Sequence, residues 1–420
     1  MPQKRAAAKH EVNMRIFPRA GALLALLAFL VLGASGAWAK GSDIDKAKPN
    51  LPKELEAALT ELFEAVPAGR ADPDEHVVNM VLRFVVGTDS STFLHPASRA
   101  HGVGVFYRDT IRQPLRVIAG YIVDPAVPAE AVYPATVRRG AWLPGGGIAS
   151  AGPALVRAAW PPAKPLMARG QEREETTPEL SSGCYYSYAL DRLFILTGMG
   201  GRTALMTVSV MPKASGVGLK GAIAGKDADW KYVYTEKKGT NLPMLSWAET
   251  YLYGSATLNI FIESAPGSRQ TDVYTFKWAK AGWSGMNVVK PSHIMAGVKR
   301  YLGGLKTFME SSNRPQAAEI AAWSAELQRC STDELQHMLS AFAAELEERA
   351  AHSEILSRPE FQAVLDNGGY AARLNRENAV AEILKLRVRK ALGLSVPVVA
   401  HPVPARSETA ARADEAGAAS

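Results

Sequence analysis

The chain has little of what would announce a chemistry. Of its 420 residues two are cysteine. Neither Cys184 nor Cys330 has a second cysteine or a histidine at ligand spacing, which argues against a cysteine-based metal site. Beyond residue 39 no run stays apolar for the roughly 20 residues that a bilayer span requires, so no transmembrane segment is expected in the mature chain. A basic stripe is missing as well. The net charge is +7, but residues 1–39 hold five Lys/Arg against Glu11, or +4, which leaves +3 for the rest. Short clusters such as Lys237-Lys238 and residues 385–390 do not make a nucleic-acid surface.

Catalytic motifs are equally scarce. The nearest approach to a Gly-x-Ser-x-Gly nucleophile turn, residues 282–286, puts Met286 where the last glycine belongs. No Ser-x-x-Lys pair opens a helix, and His-Glu-x-x-His is absent. Gly198, Gly200 and Gly201 follow a strand-like run, but the next segment, TALMTVSVM, reads as a strand rather than the helix a dinucleotide site needs. A hairpin turn is expected there.

His95 and His101, flanked by Asp89 and Asp109, are too few for a zinc site with three or four convergent ligands, and His293 sits at a helix start in a structural position. Glu236, Glu249, Glu263 and Asp272 lie in or beside strands, with nothing to select a catalytic pair. No metal or cofactor is expected.

What is present begins with a leader. Basic residues precede an apolar run at 21–33, and Ala37-Trp38-Ala39 closes it with the small-x-small pattern of a signal peptidase site. This predicts a cleaved signal peptide over 1–39, tidier if translation starts at Met14 than at Met1, and an exported protein, periplasmic or secreted. An oxidising compartment permits a Cys184–Cys330 disulfide; two buried small apolar residues are the alternative.

The organisation expected is α+β. Residues 40–72 are polar with one short amphipathic helix, LPKELEAALTELFEAV. Residues 73–312 form an α+β domain, in which NMVLRFVVG, HGVGVFYRD and LRVIAGYIVD read as strands. Residues 140–183 read as a long irregular loop, and successive strands follow over 184–290. The helix HIMAGVKRYLGGLKTFMES closes this domain, with Ser292 as N-cap. A helical module spans 313–393, with capping boxes at Ser331/Glu334 and Ser357/Glu360. Residues 394–420 read as a disordered tail.

Aromatic density in the middle is the one signal above background. Trp230, Tyr232 and Tyr234 alternate, as do Tyr274, Phe276 and Trp278, with Trp247, Tyr251 and Tyr253 between them. Alternation places each set on one sheet face, either as ordinary core packing or as the apolar wall of a cavity.

An antiparallel, aromatic-rich sheet followed by a long amphipathic helix resembles, over residues 115–311, the helix-grip fold of START-like lipid-binding proteins. The resemblance is one of topology, without a diagnostic motif. It implies a cavity between sheet and helix for a lipid or another apolar small molecule, and hence a non-catalytic binding or carrier protein. Two other readings stay open: an envelope protein that docks a partner through its C-terminal helices, and an enzyme of unrecognised type.

Overall fold

The computed structural model describes residues 43–180, 182–242 and 246–396, apart from the side chains of 240–247. The leader and the tail from 397 onward lie outside these residues. Leu55, Ala58, Leu59 and Leu62 recur at helical spacing and bury one stripe of α1 (Lys53–Glu64).

The expected strand NMVLRFVVG is instead part of helix α2 (Glu75–Gly87), capped by Asp74, whose carboxylate accepts from the His76 N–H at 2.6 Å. Val77, Val78, Val81, Leu82 and Val85 are all buried. The helix propensity cost of valine is below about 0.7 kcal/mol per residue, whereas burying each side chain is worth about 1.5–3 kcal/mol. Packing therefore outweighs propensity.

Strand β1 (Val103–Ile111) forms as read. LRVIAGYIVD does not: Pro114 precedes helix α3 (Leu115–Ile122), which buries Leu115, Ile118, Ala119 and Tyr121. A short α4 (Ala129–Val132) leads to β2 (Val137–Trp142). The stretch read as an irregular loop contains the end of β2, helix α5 (Ile148–Arg157) and strand β3 (Leu166–Thr176).

Then come β4 (Cys184–Tyr185), β5 (Ser187–Met199), β6 (Arg202–Val210), β7 (Leu219–Ile223) and β8 (Tyr232–Lys238). A small ribbon, β9 (Thr240–Leu242) with β10 (Ser246–Ala248), precedes β11 (Tyr251–Glu263) and β12 (Thr271–Gly282). Gly200 and Gly201 turn the β5–β6 hairpin as expected, with φ of +59° and +75°. These values suit the two-residue turn that matches strand twist.

The principal sheet is antiparallel, in the order β1-β12-β11-β6-β5-β3-β2; β4-β7-β8 form a second sheet. Helices α1 and α2 cover one face of the large sheet, over Leu193, Val208, Leu258 and Phe276. The other face packs on α3, α5 and the long α6 (Pro291–Glu310), which buries Ile294, Val298, Leu302, Leu305, Phe308 and Met309. Ser292 is not the N-cap of α6. Its own N–H and hydroxyl donate to the Asp45 carboxylate at 2.8 and 2.9 Å, so a residue distant in sequence caps the helix.

Helices α7 (Ala317–Leu327), α8 (Thr332–Ala350), α9 (Pro359–Leu365), α10 (Tyr370–Arg373) and α11 (Arg376–Ala391) follow. The Ser331/Glu334 box forms. The Ser357/Glu360 box does not: Arg358 holds the cap position and Glu360 pairs with Lys220. Phe342, Tyr370 and Ile383 share one core with Tyr232, Tyr234 and Phe308, so the described C-terminal helices belong to the same compact unit as the sheets.

Candidate ligand cleft on the covered sheet face

Strand alternation sends neighbouring side chains to opposite faces. On β12, Tyr274, Phe276 and Trp278 face α1 and α2, where Trp278 meets Phe63 edge-on at 5.4 Å, lies under Arg99 at 4.9 Å and donates to the Ala97 carbonyl at 2.8 Å. Phe276 and Trp278 are fully buried in that core. Trp230 lies outside the strands, in a left-handed conformation. Tyr232 and Tyr234 belong to the second sheet, with Arg138 3.7 Å from the Tyr234 ring centroid and the Tyr370 hydroxyl on the Tyr232 carbonyl. Tyr251 and Tyr253 stack on each other at 6.0 Å; the Trp247 side chain is outside the described residues. The expected aromatics whose side chains are described thus sit on separate sheets and faces.

The alternate residues of β12 are the informative ones. Lys277 lies opposite Thr257, Thr257 opposite Ser209, and Ser209 opposite Arg192, so one register row crosses four strands with polar side chains throughout. The neighbouring row holds Thr275, Asn259 and Thr207, linked by hydrogen bonds of 2.8 and 3.3 Å. Arg192 donates to Glu172 and, at 3.2 Å, to Glu174, which also accepts from the Tyr188 hydroxyl at 2.6 Å. Facing them from outside the sheet are Tyr133, after α4, and Tyr301 of α6, stacked at 4.5 Å.

This face is covered by helices, yet Lys277, Thr257, Arg192, Glu174, Tyr188, Tyr133 and Tyr301 are each half-buried rather than sealed. On the opposite face Leu193 and Leu258 have no accessible surface. These half-buried groups make the sheet face toward α6 a candidate binding surface, although Ser209 and the row Thr275, Asn259 and Thr207 are buried. A groove of about 430 Å³ is lined by Glu172 together with Pro125, Pro128, Trp142 and Ala321, among others.

Electrostatics follow the enclosure. Burial lowers the Lys277 ammonium to about 8, with Glu174 opposing the shift and Arg192 adding to it. Burial raises the Glu172 carboxyl, while Arg192 pulls it back. The Tyr133 hydroxyl is pushed up to about 12, and those of Tyr188 and Tyr301 well above their ordinary value, again by burial. The tyrosines are accordingly neutral hydrogen-bonding groups at physiological pH. Gly140 makes room for this arrangement, since a Cβ there would stand 2.7 Å from Glu172 Oε1.

Other expected candidates do not converge. Asp109 pairs with Lys306, Asp89 accepts from Ser91, and His95 and His101 are kept neutral by burial. Glu249 accepts from Tyr251, Glu263 from the Thr203 N–H, and Asp272 from Thr110 and Ser264. Among the described residues no group of three or more His, Cys, Asp or Glu could hold a metal, and no helix is long and apolar enough to cross a membrane. Cys184 and Cys330 are buried thiols, Cys184 accepting from Thr250 and Cys330 donating to the Glu326 carbonyl.

Compared with protein-family models, curated proteins and solved structures, the chain gives no match. The cleft is interpreted from its own residues. Sequence reasoning missed them because the alternation of Thr275 and Lys277 with Phe276 and Trp278 was visible, but the partners that each face would meet were not.

Proposed function

We propose that this is an exported, non-catalytic binding protein of helix-grip-like design, which holds a small uncharged, hydrogen-bonding molecule such as a sugar or polyol between α6 and the large sheet. The observation that carries the reading is the polar row Lys277, Thr257, Ser209 and Arg192 on a helix-covered face, buried at Ser209 and half-buried at the other three. Export rests on the leader sequence. A wholly apolar ligand is disfavoured, because it would strip water from these groups without replacing their hydrogen bonds. Net charge in the ligand is disfavoured too, since Lys277 and Arg192 formally balance Glu172 and Glu174, and an added buried charge would lack a partner. The C-terminal helices spend much of their apolar surface on the shared core, which supports ligand binding over partner docking.

Thermal unfolding with monosaccharides, cyclic polyols and a long-chain fatty acid tests the proposal. A ligand at 100 times its Kd stabilises by about 2.7 kcal/mol. Stabilisation by a polyhydroxylated compound, weakened in Tyr301→Phe and Glu174→Gln, is expected. Stabilisation by the fatty acid alone would overturn the polar reading, and a flat response to every compound would overturn the cleft as a binding site.

A further inference from the structure

We propose that Lys277 is a carbonyl-capturing amine, which condenses with the aldehyde or ketone of a small polar molecule in the cleft to form an imine. This deepens the preceding reading and rests on it. Hydroxyls rather than a carboxylate hold the amine: Nζ lies 2.7 Å from both Ser255 Oγ and Thr257 Oγ1. A carboxylate contact would fix the protonated form, whereas hydroxyls can accept from the ammonium or donate to the free amine. Enclosure also favours the free amine. At neutral pH roughly a tenth of amines with a pKa near 8 are unprotonated, against well under a thousandth for a solvent lysine.

The step balances without a further reactant. The Nζ lone pair attacks the carbonyl carbon, and the carbonyl π pair moves to oxygen. The two amine hydrogens end on that oxygen, which leaves as water as the C=N bond forms. Arg192, in the same register row, with Glu174 at 3.2 Å from it and the Tyr188 hydroxyl on Glu174, supplies polar groups for the rest of the molecule.

Lys385 separates basicity from access. Its ammonium is also lowered to about 8 by burial, but it is 1% exposed and packed near the Tyr232 ring. Exposed Lys53 and Lys213 provide the reverse case.

The experiment treats the folded protein with glyceraldehyde and cyanoborohydride at neutral pH, then maps the reduced adducts by peptide mass spectrometry. Lys277 is expected to label at least about 10-fold faster than Lys53 or Lys213, with Lys385 unlabelled, given its larger unprotonated fraction. Preloading with glycerol, or with a polyol that stabilises the protein, should slow labelling at Lys277 alone. Lys277→Met, checked for folding by circular dichroism, should lose the preferential adduct. Equal labelling of Lys277 and exposed lysines overturns the imine proposal. If polyols still stabilise the protein in that case, the cleft reading survives; if they do not, both fail.

Discussion

Lys277 on β12 and Glu174 on β3 lie in one sheet, with β11, β6 and β5 between them. Strands at 4.7–4.9 Å spacing would put their backbones about 19 Å apart in a flat sheet. Arg192 on β5 narrows that gap, donating to Glu174 at 3.2 Å. The polar face is thus assembled from distant strands, and its charge balance depends on Arg192 pairing with Glu172 and Glu174.

The Arg192 guanidinium is the centre of that balance. Arg192→Met leaves Glu172 and Glu174 facing each other without their cation. Breaking a buried pair from one side costs about 3–5 kcal/mol, and residual solvent access at Arg192 reduces this to about 2–3 kcal/mol. Urea unfolding should show the loss, and adding Glu172→Gln should restore part of it.

Gly140→Ala should disturb the same group by sterics. The new Cβ would meet Glu172 Oε1 at 2.7 Å and the Ala129 Cβ at 2.9 Å. Overpacking of this kind costs about 1–3 kcal/mol, read as a lower urea midpoint at unchanged slope.

Stability should rise as pH increases from about 8 towards 10. Lys277 and Lys385 have folded values near 8, below the ordinary lysine value, so over this range the unfolded chain binds more protons and folding is favoured as they leave. Above about 10 the sign reverses, because Tyr188, Tyr234, Tyr301 and Tyr370 resist ionisation in the fold. The raised Cys330 thiol opposes the rise from about pH 9. Lys385→Met should flatten the rising limb in pH-dependent urea unfolding.

Asp45→Ala should cost about 1 kcal/mol, the usual value of a lost N-cap, because the Ser292 N–H loses its acceptor. Asp45→Asn keeps an acceptor and should retain more of the stability. Chemical unfolding of both variants checks the ordering.

Local chemistry made much of the fold legible. Adjacent glycines announced the β5–β6 turn, Ser331 and Glu334 announced the start of α8, and apolar spacing announced α1 and α6. Helices α2 and α3 were misread because valine and isoleucine favour strands by intrinsic propensity, while tertiary burial favoured the helix. The strand β3 was invisible because its alternating Gly170, Glu172 and Glu174 looked solvent-facing.

By itself the sequence determined the leader pattern, the α+β order of most elements and the alternation that separates Lys277 from its aromatic neighbours, since each is set by residues close along the chain. Tertiary structure alone decided that Phe276 and Trp278 fill a core while Lys277 sits on the opposite sheet face against the Ser255 and Thr257 hydroxyls. It also decided that Arg192, Glu172 and Tyr301 join Lys277 there. Strand register brings these residues together, and it depends on pairings between segments far apart in sequence.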